Sequence, residues 1–220
     1  MNLLAIETAT SVCGIAIFIN DTLIAIVEEE LDRQHAKKLP EFFDKLLTET
    51  NIKFSDIDGI AVSIGPGSFT GLRIGLSYGK GLAFSSGLPV IPVPTLQTLV
   101  EGSRYQYENI RCIIHSHRDF VYYQDFSFYH DIYDIKSQPK SGLWKDVVHS
   151  IEENQVVYQY GCQQLIDQLD TKTGTFEVKP SALSVGKIAL RVFERDKIIE
   201  YHKIEPEYVS DFIISKKIGA

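Results

Sequence analysis

A chain of 220 residues and 24.8 kDa is long enough to bury a real core, as one large domain or as two of about 100 residues. Hydrophobic residues at 44% and charged residues at 23% exclude disordered, collagen-like and low-complexity classes. Twenty-two Lys and Arg against 29 Asp and Glu give a net charge of −7 and a pI near 5.4. That is a poor profile for gripping nucleic acid unaided, because such affinity comes mostly from cations displacing phosphate counterions. If nucleic acid matters to this chain, a partner is expected to hold it.

The first residues, Met1-Asn2-Leu3-Leu4-Ala5-Ile6-Glu7, lack a basic region and meet an acid at position 7, so they read as a buried strand and not as a signal peptide. No apolar run reaches the roughly 18 residues that span a bilayer. Cys13, Cys112 and Cys162 are odd in number and widely spaced, which fits reduced core thiols better than bridges or a zinc site. The expected compartment is the cytoplasm, with no membrane partner.

Leu3 to Ile6 is a short apolar strand, Thr8-Ala9-Thr10-Ser11 a polar turn, Cys13 to Ile19 a second strand, and Thr22 to Val27 a third beyond the Asn20-Asp21 turn. The chain therefore opens as an antiparallel meander. Leu39, Phe42, Phe43, Leu46 and Leu47 fall at i, i+3, i+4, i+7 and i+8, one apolar stripe of a helix. Pro40 is tolerable only in a first turn, so that helix is expected to begin near it. Gly59 to Ile64 is a buried strand, a glycine-rich loop feeds a helix from about Gly71 to Phe84, Val90 to Val93 is a strand, and Thr95 is placed to cap a helix reaching Glu101. Strands, helices and hairpin together predict a mixed sheet layered with helices.

The second half opens after Gly102, giving expected domains of 1–102 and 103–220, with the last helix able to pack back on the first. Ile110 to Ile114 and Phe120 to Phe128 read as a hairpin, Lys145 to Ile151 as a short helix, Val156 to Tyr160 as a strand, Gln163 to Leu169 and Ser181 to Glu194 as helices. No sequence repeat is visible, although the two halves could share a fold that the residues no longer advertise. Phe120 to Tyr133 is crowded with aromatics, but the interleaved Asp119, Asp125, Asp131 and Asp134 repel phosphate, so a hairpin packing its rings into a core explains it better than a base-stacking platform. Lys216-Lys217 reads as a solvated helix end.

The most informative stretch is Gly65-Pro66-Gly67-Ser68-Phe69-Thr70-Gly71-Leu72-Arg73. It leaves a strand and enters a helix, where backbone N–H groups can cradle an anion. It has no lysine for a Walker loop, Thr70 stands where a dinucleotide fingerprint needs glycine, and it lacks the Gly-x-Ser-x-Gly spacing of a nucleophile elbow. Gly67, Gly71, Gly75, Gly79 and Ala83 recur every fourth residue, leaving one helix face almost bare. Each interior glycine costs about 1 kcal/mol against alanine, so the bare face implies close approach by another element: the chain's own sheet or a helix of a partner.

This block with its continuation Ile74-Gly75-Leu76 and Gly79-Lys80-Gly81-Leu82-Ala83, the opening Leu4-Ala5-Ile6-Glu7-Thr8-Ala9-Thr10, and Pro206-Glu207-Tyr208-Val209 resemble the bacterial TsaB (YeaZ) family. The resemblance is strong over the first hundred residues and weak beyond. It implies an α/β two-lobed actin-like ATPase fold (ASKHA, ribonuclease-H-like) with mixed sheets flanked by helices. It also implies a non-catalytic scaffold that pairs with a larger TsaD-like catalytic subunit to attach threonylcarbamoyl to adenosine 37 of tRNAs reading codons that begin with A. An ATPase subunit and tRNA would join through that complex; without the partner, the same exposed apolar face could pair two copies of the chain, although the sequence alone does not fix its oligomeric state.

On that resemblance the partner surface is expected on two helices, at Leu39, Phe42, Phe43, Leu46, Gly71, Gly75 and Gly79. Catalytic relatives carry His-x-x-x-His for a metal; here the matching region is His35-Ala36-Lys37-Lys38-Leu39, and one imidazole cannot hold a catalytic metal. His35 instead reads as a partly exposed residue at a helix entry. His115-Ser116-His117 supplies no third ligand in obvious register, and His117-Arg118-Asp119 departs from the Asp-Ala-Arg of many relatives. The turn Glu7, Thr8, Ala9, Thr10 and Ser11 is hydroxyl-rich but lacks the phosphate-site glycine, and Gly161 follows bulky Tyr160, so an ATP site is expected only as a remnant with at most weak nucleotide affinity. No cofactor, metal or catalytic residue is expected. The competing reading is a stand-alone ATP-dependent transferase or metallopeptidase-like enzyme of the same fold.

Overall fold

The computed structural model describes residues 1–129, 132–167 and 174–209. Three strands open the chain as the expected meander, β1 (Leu3–Glu7), β2 (Val12–Ile19) and β3 (Thr22–Glu30). Next come α1 (His35–Thr50), β4 (Gly59–Gly65), α2 (Phe69–Ser86), β5 (Val90–Pro94) and α3 (Thr95–Gly102). The second half holds β6 (Asn109–His117), β7 (Phe120–Tyr129), β8 (Ile132–Ile135), β9 (Lys140–Leu143), α4 (Trp144–His149), β10 (Val156–Tyr160), α5 (Gln163–Ile166), β11 (Thr175–Glu177) and α6 (Ala182–Asp196). Leu169, Asp131 and Lys216-Lys217 of the sequence reading lie outside the described residues.

The first sheet runs β3-β2-β1-β4-β5, with β1–β2–β3 antiparallel and β1–β4–β5 parallel. The second runs β11-β10-β6-β7-β8, with β6–β7–β8 antiparallel and β6–β10–β11 parallel, and β9 adds to β7. Reading the second in reverse gives the same plan, a meander joined at its first strand to two parallel strands. The chain thus repeats one architecture that its residues no longer show.

Both faces of the first sheet are covered. On one, Leu4, Ile6, Ile15, Ile17, Ile60 and Val62 meet Leu39, Phe42 and Leu46 of α1 and Leu76 and Ala83 of α2. On the other, Leu3, Ala5, Ala16, Phe18, Ile91 and Val93 meet Ala182, Val185, Ile188, Ala189 and Phe193 of α6. Meanwhile Leu96, Leu99 and Val100 of α3 pack on Ile110, Cys112, Ile114 and Tyr158 of the second sheet. Each half therefore lends a helix to the other.

Several local expectations are corrected. Helix α1 begins five residues before Pro40, at His35. Ala36, whose carbonyl loses a donor to the proline ring, is an exposed residue, where solvent can take the place of that donor. His35 itself is buried, at 7% exposure, and donates from Nε2 to the Thr10 carbonyl at 3.0 Å, tying the start of the helix to the β1–β2 turn. Thr95 does not cap α3, because its hydroxyl accepts the Gly65 N–H at 3.0 Å. Ser68 and Ser181 do cap their helices, accepting from Gly71 N and Leu183 N respectively, and so satisfy backbone donors that the first turn leaves free.

Candidate functional site

The bare face of α2 is turned inward. A Cβ on Gly71 would meet the Thr8 carbonyl oxygen, one on Gly75 the Thr8 hydroxyl, and one on Gly79 the Val62 side chain, each well inside 3.0 Å. The Thr8 hydroxyl donates to the Gly71 carbonyl at 2.9 Å, joining helix to strand end. Of the expected partner surface, Gly71, Gly75, Gly79, Leu39, Phe42 and Leu46 are thus interior to this chain. The correction has a simple cause: a four-residue period marks a face but not the neighbour that fills it. Only Phe43 of that set is half-buried.

What α1 and α2 leave outward is a seam of half-buried apolar side chains: Phe43 and Leu47 from α1, and Ile74, Tyr78 and Leu82 from α2. Phe43 sits edge-on between Phe54 and Tyr78, with ring centroids 5.4 and 6.1 Å away. Burial, aided by nearby Asp44, pushes the Tyr78 hydroxyl up to about 12, so the ring stays neutral and behaves as an apolar group with a polar tip.

A cleft of about 1290 Å³ lies between the halves. Its first wall is the β1–β2 turn from Ala9 to Ser11, the start of α1 and the capped end of α2; its second is the β6–β7 hairpin with Tyr160 and Gly161; Glu207, Tyr208 and Val209 close one side. Parts of its lining are bonded within the chain itself. The Ala9 carbonyl accepts from Ser68 N at 2.7 Å, and Ser11 Oγ and the Tyr160 hydroxyl, 2.7 Å apart, bridge the two walls. Glu7 and Thr8, expected as members of a phosphate turn, are fully buried and do not line the cleft, whereas Ala9, Thr10 and Ser11 do.

Glu7 Oε1 accepts the Ala9 N–H at 2.6 Å, and its Oε2 has no hydrogen-bond partner among the described residues. Burial, with the charge of Glu28 added, raises its carboxyl from 4.5 to about 7 despite the lowering effect of the Ala9 and Ser63 hydrogen bonds. This is how desolvation acts on an acid. Glu207 likewise has an unpartnered Oε2 among the described residues and a carboxyl raised by burial.

His115 and His117 both line the cleft. His115 Nε2 donates to the Arg118 carbonyl at 2.8 Å, and His117 pairs through Nδ1 with Ser116 and stacks on Phe120 at 5.2 Å. Among the described residues no three His, Cys, Asp or Glu side chains are grouped as ligands for a metal, and no helix is long and apolar enough to cross a membrane. Cys13, Cys112 and Cys162 are buried free thiols raised by desolvation, Cys13 and Cys162 to about 12.

The segment after α6 straps across the first half. The Lys80 ammonium donates to the Ile204 carbonyl, and Glu207 N donates to the Ile64 carbonyl at 2.7 Å. Arg73 stacks on Phe69 at 3.7 Å and donates from Nε to the Tyr208 hydroxyl at 2.9 Å. The Pro206-to-Val209 motif is thereby brought beside the glycine block.

Comparisons with known proteins agree with this geometry. Residues 22–141, more than half of the chain, match the family model described as "TsaD: tRNA N6-adenosine threonylcarbamoyltransferase". The tRNA threonylcarbamoyladenosine biosynthesis protein TsaB of Escherichia coli is 28% identical over 99% of this chain and 98% of its own length. The structure of YeaZ from Pseudomonas aeruginosa superposes with a TM-score of 0.80 at 23% identity, covering 94% of this chain and 99% of that one. The ethanolamine utilization protein EutJ from Carboxydothermus hydrogenoformans, at 8% identity, still gives a TM-score of 0.51 over 85% of this chain and 89% of its own. The fold is the two-lobed actin-like α/β class that the sequence implies, and the chain belongs to the family of that model, with TsaB (YeaZ) proteins as relatives over nearly its whole length.

Proposed function

We propose that this chain is a non-catalytic subunit of a cytoplasmic tRNA threonylcarbamoyladenosine machinery, acting by pairing with a TsaD-like catalytic subunit that transfers threonylcarbamoyl to adenosine 37 of tRNAs reading codons that begin with A. The observation that carries the reading is likeness to a TsaB protein over nearly the whole of both chains. Two features support it. In the cleft between the halves, the Ala9 carbonyl and the Ser11 hydroxyl of the expected phosphate turn are bonded to Ser68 N and Tyr160. The α1–α2 seam offers apolar side chains that stand half out of the core, which suits a helix pair of another subunit. The net charge of −7 accords with a subunit that positions an enzyme while other members of the complex hold the tRNA and bind ATP.

The test is to mix the purified chain with the TsaD-type subunit of its own organism and follow the pair by size exclusion and calorimetry. A one-to-one complex is expected. Leu47→Ser with Ile74→Ser should raise its Kd by more than about tenfold, or about 1.4 kcal/mol, while circular dichroism stays native. Failure to form a complex, or stoichiometric ATP turnover by the chain alone, overturns the reading. An unchanged Kd in the double variant removes the seam from the interface. With the partner absent, the same seam is the expected face of a homodimer.

A further inference from the structure

Glu7 ends β1 opposite Gly14 of β2, which in turn stands opposite Glu28 of β3. Directly paired residues share a face of the sheet, and the middle member of this row has no side chain. Glu28 uses that space: a Cβ on Gly14 would lie 2.6 Å from Glu28 Cγ and 2.9 Å from its Oε1. Glu28 therefore leans across β2 toward the buried Glu7, whose Oε2 is unpartnered among the described residues. Glu28 also holds the start of α6, accepting from Ala182 N at 2.5 Å and from the Ser181 hydroxyl at 2.9 Å. At the other end of the row, Glu7 holds the cleft turn through Ala9 N.

We propose that Glu7 and Glu28 form a proton-responsive latch joining the β1–β2 turn at the cleft to the N-terminus of α6, tight when Glu7 is neutral and loosened when it ionises. The groups around the pair are few. Cys13 of β2 and Glu28 of β3 act on Glu7 or are acted on by it, and Ser63 of β4 gives it a hydroxyl. Lys179, itself paired with Glu30 and influenced by Tyr160, is the cation that acts on Glu28. Burial also raises the Glu28 carboxyl, while the Ala182 and Ser181 hydrogen bonds and Lys179 act to lower it; an ionised Glu7, fully buried itself, thus adds negative charge beside a partly buried Glu28, where repulsion is poorly screened. Because α6 covers the first sheet from the second half of the chain, the charge state of one carboxyl bears on how the two halves hold together.

The sign follows from linkage. The carboxyl is raised in the folded chain from 4.5 to about 7, so its contribution to stability is complete below about 4.5, shrinks as pH rises, and is lost above about 7. Amide exchange of residues 8–11 and 182–185, corrected for the intrinsic rate, is measured from pH 5 to pH 9. Both segments are expected to show an opening constant that climbs up to about tenfold per pH unit between pH 5 and pH 7 and then levels. In Glu7→Gln the climb should vanish from both. Glu28→Gln, which keeps a carbonyl acceptor for Ala182 N, should move the levelling point to lower pH, and it carries the test if Glu7→Gln does not fold. A climb that survives Glu7→Gln, a levelling point unmoved by Glu28→Gln, or a pH response in one segment without the other overturns the latch.

Discussion

Replacing Gly75 with alanine separates a glycine kept for close packing from one that could carry a side chain. In an ordinary exposed helix the change would gain about 1 kcal/mol from propensity. Here the new methyl lands on the Thr8 hydroxyl, well inside 3.0 Å, and that hydroxyl is bonded to the Gly71 carbonyl. Overpacking a tight contact costs about 1 to 3 kcal/mol, and a lost buried hydrogen bond about 1 kcal/mol more. The net effect is a loss of about 1 to 3 kcal/mol, or a fall in Tm of roughly 3 to 10 °C for a chain of this size. Gly81, on the same helix, has nothing within 4 Å of its Cβ position, so Gly81→Ala should raise Tm by about 2 to 4 °C. The assay is thermal and urea unfolding of the two variants beside the parent chain. If Gly75→Ala stabilises as much as Gly81→Ala does, the inward packing of α2 against Thr8 is wrong.

Two further outcomes follow from buried groups. Arg111 is 6% exposed and makes a two-pronged pair with Asp125 at 2.7 and 3.0 Å, with Val147 O and Ser150 Oγ accepting from its Nη1. Arg111→Ala strands the Asp125 carboxylate and should cost about 3 kcal/mol in urea unfolding, with most of it returned by also changing Asp125 to Asn; no recovery in the double variant would contradict the pairing. The three thiols, buried and pushed up in pKa, should resist a thiol-reactive dye at pH 8 in the native chain and all react in guanidinium. A native-state stoichiometry of one or more would show that a thiol is reachable.

Much of the first half was legible in its sequence because each element carried its own periodicity. The meander, the stripe of α1 and the strand-loop-helix passage into α2 are local patterns, and the quoted motifs lie on them. The direction in which those patterns face was not legible. The glycine period identifies a bare face of α2, and only the placement of Thr8 shows that the chain fills it. The stripe of α1 likewise groups Phe43 and Leu47 with the core residues Phe42 and Leu46, and only the structure shows that these two, about 100° further round the helix, stand half out of the core. Glu7 looked like a member of a polar cleft turn because it precedes three hydroxyls, yet strand alternation carries its side chain to the opposite side, under α6. Short strands such as β8, β9 and β11, of three or four residues, are held by pairing to β7 and β10 and not by their own composition. Helix α1 begins before Pro40 with His35 bonded to the distant Thr10 carbonyl, a contact that no local pattern announces.

The exchange of α3 and α6 between the halves has a consequence for how the molecule can be divided. A fragment ending at Gly102 would keep α3 without the second sheet it covers, and would leave Leu3, Ala5, Phe18 and Ile91 bare where α6 belongs. The complementary fragment would carry α6 with no sheet to lie on. Two modules that look separable along the chain are therefore mutually obligate, like two hands each holding the other's wrist. Either half can change only while preserving what it lends, so the two halves are expected to unfold together in one transition.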